Sequence, residues 1–251
     1  MKTILAWHWS DGMKCRYDNR PIVPGQTLIY SGKEPIALCE RGLHASTRIL
    51  DALKYAPGRT ISRVRLSGEI LRGEDKIVAT HRTCLWSFDA RYILIAWAAD
   101  CAERALLRER KAGREPDPPC FEAIEAARRF VKDPTKENRK AARAAGNAAE
   151  AAGDAAWTAG KAAAAAGDAA WTAGNAAEAA VNAAWAAGKA AAAARDAANA
   201  AGNAADVASD AAEAAGDAAQ IEGKDETAAY QKERRWQSAR LRNLIAAGRA
   251  A

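Results

Sequence analysis

The chain has 251 residues, of which 49% are hydrophobic by count, and a formal net charge of +6; that is length for one large domain, or for a modest domain plus an extended element. The charge is uneven, +5 over residues 1–100, +4 over 101–145, −6 over 146–220 and +3 over 221–251. An acidic central tract argues against nucleic acid as its partner, because phosphate contacts need Lys and Arg along the binding surface.

Residues 1–88 read as a small α+β head domain with an antiparallel sheet. ILAWHW, TLIY, IALC, ISRVRLSG and KIVATHRTCLW are short apolar or alternating runs, bounded by turn pairs such as Asp11-Gly12 and Pro24-Gly25. One helix, TRILDALKYA, is expected between Ser46 as N-cap and the Pro57-Gly58 break. The opening residues hold one lysine and an apolar run too short and too aromatic for a signal peptide. Cys15, Cys39, Cys84, Cys101 and Cys120 are odd in number and lack CxxC spacing, which favours reduced thiols in a soluble, cytoplasmic protein.

Residues 89–133 form a helical connector. Asp89 caps a helix with Ile93, Trp97, Cys101 and Ala105 inward; the PDPP run then separates it from a second, with Cys120, Ile124, Ala127 and Val131 inward. Residues 134–220 are an alanine-rich heptad helix, and residues 221–251 a basic amphipathic helix with Tyr230, Leu241, Leu244 and Ile245 inward. No stretch approaches a membrane span, since Asn, Asp or Lys recurs throughout the tract.

From Ala144 to Gln220 one unit, A-A-G-x-A-A-y, repeats in register, with x always polar. On a helical wheel the four alanine columns form one continuous methyl face, and Gly, y and x fill the other. Such a face lets another helix approach closely, and a sustained period of seven implies a left-handed coiled coil. Each glycine costs roughly 1 kcal/mol against alanine, so either a second surface approaches the glycine side or the repeat tolerates the cost. A single unbroken helix here would be on the order of 115 Å long. Its alanine surface is expected to pair, by homo-oligomerisation or by folding back at a hidden hinge. Trp157, Trp171 and Trp185 recur every fourteen residues in the y column and are candidates for a partner or oligomer seam; packing as ordinary core is the alternative.

The segments CERGLHAS, DALKYAPG, VRLSGEI and DKIVATHRTCLW resemble an uncharacterised domain common in phage and actinobacterial genomes. WAADCAERAL, PDPPCFEAIEAARRF, the alanine heptads and the closing basic helix resemble alanine-rich immunity proteins of bacterial polymorphic-toxin loci. The resemblances imply a setting of phage–bacterium or toxin conflict, and no reaction.

Candidate chemistry is sparse. His44, in the GLHAS loop with Ser46 and Arg48, is placed to hold a phosphate or nucleotide at a helix N-terminus or to act as a general base; the simpler alternative is that it packs and caps the turn. Cys39-x4-His44 with His81-x2-Cys84 is an imaginable zinc tetrad, but its spacings are not those of a common finger. Neither a metal nor a cofactor is expected. The first reading is therefore a non-catalytic binding or inhibitor protein, with a protein partner and an oligomerising coil that presents the tryptophans. A nucleotide- or phosphate-binding head, possibly enzymatic, is the second; a structural or ice-binding rod, short of threonine, is the third.

Overall fold

The computed structural model describes residues 2–164, 181–186, 189 and 200–250, with side chains described outside 157–164 and 200–201. Two compact units divide the chain, a head of residues 1–91 and a helical unit of residues 92–251.

The head is built from β1 (Ile4–Ser10), β2 (Thr27–Ile29), β3 (Leu43–Ala45), α1 (Ile49–Lys54), β4 (Thr60–Arg72) and β5 (Ile77–Asp89). The long strands β4 and β5 form a hairpin, closed where the Gly73 N–H donates to the Lys76 carbonyl at 2.8 Å. β1 pairs with the far side of β4, while β2 and β3 pair with different stretches of the other edge of β5; every pairing is antiparallel. Just beyond β3 the chain bonds back to β1. Trp7 N–H donates to Ser46 O at 2.7 Å, and Ser46 N–H donates to Trp7 O at 3.0 Å. These bonds close β1, β4, β5 and β3 into a small irregular barrel, with β2 left as an edge strand on β5. Ile4, Ala6, Ala45, Val64, Leu66, Ile77 and Ala79 form its core.

Two expectations for the head need correction. IALC is not a strand: Ala37 and Arg41 bridge across a tight turn in which Cys39 adopts a left-handed φ of +69°, a backbone no strand accommodates. The third strand lies later, at Leu43–Ala45. Ser46 is not an N-cap either. Its backbone is used to close the barrel, and α1 starts from Arg48 in extended conformation without a side-chain cap bond.

The helical unit comprises α2 (Arg91–Lys111, its first residue in the head), α3 (Pro118–Lys132), α4 (Lys136–Ala164), α5 (Ala200–Ile221) and α6 (Glu226–Ala250), with residues 181–186 also helical. The starts follow capping chemistry. Asp89 Oδ1 accepts from Arg91 N–H at 2.9 Å, Thr135 Oγ1 from Asn138 N–H at 3.2 Å, and Asp225 Oδ1 from Ala228 N–H at 2.9 Å. α2 and α5 stop at Gly113 and Gly223, whose left-handed φ values (+79° and +67°) favour glycine. Trp97, Cys101, Ala105, Cys120, Ile124, Ala127, Leu241 and Ile245 are buried as expected; Phe130, not Val131, is the buried aromatic-or-aliphatic residue at the end of α3.

The alanine tract is helical wherever it is described, and it folds back. Asn182 Nδ2 donates to Asp217 Oδ2 at 3.0 Å, Lys189 Nζ lies 2.9 Å from Asp210 Oδ2, and Trp185 Nε1 donates to Asp154 Oδ1 at 3.4 Å. On one straight helix Asp154 and Trp185 would be roughly 46 Å apart. Of the two ways of sheltering the methyl face, folding back within the chain is the one these contacts display. In α5 all four alanine columns are buried, as in Ala204, Ala208, Ala211, Ala212, Ala214, Ala215, Ala218 and Ala219, while the y residues Asp206, Glu213 and Gln220 are exposed. In α4 the same unit turns another side inward, burying Ala142, Gly146, Ala149 and Gly153 and exposing Ala144, Ala148, Ala151 and Ala155.

Candidate functional site

The head contains a cavity of about 370 Å³, within the size range of small-molecule sites. β1, β3 and β5 bring His8, His44 and Arg82 to its wall, with Cys15, Tyr17, Cys39, Ser46, Tyr55 and Lys76 among the other lining residues.

His8 reaches it by simple alternation. Ile4 and Ala6 point into the barrel, so the next inward position of β1 is His8. Arg82 reaches it through a bulge. Were β5 regular, inward Ala79 would make His81 inward and Arg82 outward. The pairing with β4 instead slips between Ser67 and Ile70, opposite the left-handed Gly68 (φ +78°), so that Ala79 faces Ile70 and Arg82 faces the buried Leu66. Re-aiming one side chain is what such an irregularity accomplishes. Arg82 is only 5% exposed, whereas His81 stays half-buried with its Nδ1 3.0 Å from Thr80 Oγ1.

The guanidinium of Arg82 is unusual in its partners. Nη1 donates to the His44 carbonyl at 2.8 Å and Nη2 to Cys15 Sγ at 3.3 Å. Both acceptors are neutral, and among the described residues no carboxylate lies within ion-pair distance of it; Asp18, which also lines the cavity, acts on it only at longer range and is itself paired with Arg20. Burial pulls its pKa down, opposed mainly by Cys15, Cys84 and Asp18, but an arginine stays charged. Beside it, burial first and the Arg82 charge second hold the His8 imidazole well below its ordinary 6.5, with His44 adding to the same direction. The ring is therefore neutral at physiological pH, and its shielded Nδ1 has no hydrogen-bond partner.

His44 plays a different part. Its Nε2 accepts the Cys39 backbone N–H at 3.1 Å, which fixes the ring as neutral, and burial lowers its pKa against the backbone bonds to Gly42 and Ala37 that raise it. A ring so engaged ties down the 36–42 turn and is not a free base.

Of the expected ligand set, His44 and Ser46 line the cavity and Arg48 does not. Arg48 is exposed and ion-paired to Asp51 at 2.5 Å, and α1, with six residues, is too short to present an anion site at its start. The zinc tetrad is not assembled. Alternation along β5 separates His81 from Cys84, and among the described residues no three His, Cys, Asp or Glu side chains converge on a metal position. Of the three tryptophans, Trp171 and the side chain of Trp157 lie outside the described residues. Trp185 is used inside the helical unit: a Cβ added to Gly153 would meet its Cδ1 at 2.7 Å and its Nε1 at 2.9 Å. Sequence reasoning missed His8 and Arg82. The available signs were the strand-interior glycine in VRLSGEI, which marks a bulge, and the ILAWHW alternation.

Residues 9–96 match a family described as a domain of unknown function, DUF7666. No curated protein and no solved structure matches the chain. No described helix is long and apolar enough to cross a membrane.

Proposed function

We propose that this is a binding protein whose head takes a small organic anion, phosphate- or carboxylate-bearing, in the His8–His44–Arg82 cavity. One observation carries the reading. Among the described residues Arg82 is a buried cation with no ion pair, only the longer-range charge of Asp18, and a poorly compensated buried charge costs several kcal/mol. An anionic ligand would supply the missing charge. Tyr17 and Tyr55 in the lining suit a ligand that also has a planar or apolar part.

Equilibrium dialysis against orthophosphate, a nucleoside monophosphate and citrate tests this. At least one is expected to bind the intact protein and to lose binding in Arg82→Met, with the circular dichroism spectrum retained. Absence of binding by all three, or equal binding by the variant, would remove the reading. The context we propose is phage or toxin conflict in a reducing cytoplasm, on the strength of the sequence resemblances and the five free cysteines. A protein partner or a homo-oligomer, proposed from the repeat, has less support: most described alanines of α5 are buried, and Trp185 is half-buried against Gly153, within one chain.

A further inference from the structure

We propose that Cys39 is a nucleophile beside the anion cavity, and that it undergoes thiol–disulfide exchange with small disulfides bearing carboxylates. The proposal rests on the anion-binding reading above and adds a reaction to it.

Cys39 stands apart from the other thiols. Cys15, Cys84, Cys101 and Cys120 are buried, and burial raises all four pKa values, that of Cys120 to about 11. Buried, protonated thiols are inert. Cys39 is exposed and lines the cavity, as Lys76 does. The Lys76 ammonium donates to Cys39 Sγ at 3.2 Å, placing a positive charge against the sulfur that must become negative to react. That ammonium is itself steadied over the Tyr55 ring, 4.0 Å from its centroid, and the Tyr55 hydroxyl donates to Asp75 Oδ2 at 2.5 Å. The Cys39 backbone is held by its bond to His44. The thiol is thus fixed in a left-handed turn on the wall of a cavity that also holds the Arg82 guanidinium, 5% exposed and without an ion pair among the described residues. That buried charge, independent of the cysteine, calls for an anionic occupant.

In the exchange the Cys39 thiolate attacks one sulfur of the small disulfide. A new S–S bond forms to Cys39, the original S–S bond breaks, and the second half leaves as a thiolate with the bonding pair, to be protonated by water. The small disulfide is the oxidant. The carboxylate of the half that stays covalently attached is held by the Arg82 cavity, and the leaving half departs to solvent.

The experiment uses the full chain and compares iodoacetate with iodoacetamide, two alkylating agents that differ in charge, with labelling at Cys39 read by peptide mass. The iodoacetate-to-iodoacetamide rate ratio is expected to exceed that of free cysteine by roughly tenfold. It should fall to the free-cysteine value in Lys76→Met and in Arg82→Gln, each with the wild-type circular dichroism spectrum. Oxidised glutathione, a carboxylated disulfide, should form one adduct, on Cys39. A wild-type ratio equal to that of free cysteine, or no adduct on Cys39, overturns the proposal. Orthophosphate dialysis on the same sample separates the two readings: phosphate bound with an ordinary ratio removes the reaction alone, and neither phosphate binding nor an elevated ratio removes both.

Discussion

Both units bury ionised side chains, and they treat them in opposite ways. In the helical unit Glu109 is 1% exposed and is gripped by Arg114 through Nε at 2.7 Å and Nη2 at 3.1 Å. Glu233, 2% exposed, receives Arg104 at 2.8 Å and Arg108 on the same oxygen. Arg128 is shared between Glu103 and Asp100, which raises its pKa. In the head, Arg82 is buried almost as deeply and meets only a carbonyl and a sulfur. A buried ion with its counter-ion in the chain is an element of structure. One whose counter-ion is missing points to what the protein takes from outside.

The largest expected effect breaks the matched side. Arg104, Arg108 and Glu233 join α2 to α6, and Arg108 also donates to the Ala211 carbonyl of α5 at 3.2 Å. Glu233→Gln leaves two guanidinium groups facing a neutral amide and should cost about 3 kcal/mol, measured as the shift in urea midpoint followed by the helical circular dichroism signal. In the head, Arg82→Met removes an ion that has no ion pair among the described residues, and should leave stability unchanged or raised by about 1 kcal/mol. Equal losses in the two variants would mean that the contrast between the units is not energetic.

A second test uses pH, because all three histidines lie in the head. Folded, the head holds His8 and His44 neutral, whereas an unfolded chain takes up protons near the ordinary value of 6.5. Below that pH the unfolded state binds more protons, so head stability falls as pH drops from about 6.5 towards the depressed folded values, by up to about 1.4 kcal/mol per unit for each ring. Above 6.5 neither contributes. His8→Phe should flatten part of this slope in urea titrations at pH 5.5 to 7.5, about one unit either side of the unfolded histidine range; an unchanged slope would show that His8 is not held neutral.

How much of this was legible in the sequence differs between the units for a physical reason. Helix boundaries in the second unit followed caps and glycines that act locally, Asp89, Gly113 and Gly223 among them. The head's strands were readable where alternation was regular, as in β1. They were not where the outcome depended on a distant partner: β3 exists because Leu43–Ala45 finds Ile77–Ala79, and Arg82 faces inward because of a slip opposite Gly68. A strand-interior glycine hints at a bulge but not at which side chain it re-aims. The GLHAS loop drew the eye to His44, Ser46 and Arg48 as neighbours in sequence, yet the cavity is assembled from residues 8, 44 and 82, which only pairing brings together. In the repeat, composition fixed helicity and the need for cover. It could not fix which side of each segment turns inward, because a seven-residue unit made mostly of methyl groups offers several nearly equivalent faces.

The smallest effects bear on that last ambiguity, through two glycines in the same heptad phase. At Gly202 a Cβ would meet nothing within 4 Å, so Gly202→Ala should gain close to the intrinsic helix difference, about 1 kcal/mol. At Gly153 the same methyl would sit 2.7 Å from Trp185 Cδ1, and the ring is positioned through its Nε1 bond to Asp154. Displacing it costs about 1–3 kcal/mol, which outweighs the propensity gain and makes Gly153→Ala net destabilising by about 1 kcal/mol. The two variants should therefore move the helical melting transition in opposite directions. If both raise it equally, no tryptophan rests on Gly153 in solution, and the glycine column is a residue of duplication. Opposite shifts would show that the phase is shared by sites under different constraint, one kept open for an aromatic ring from the returning chain and one under no steric demand.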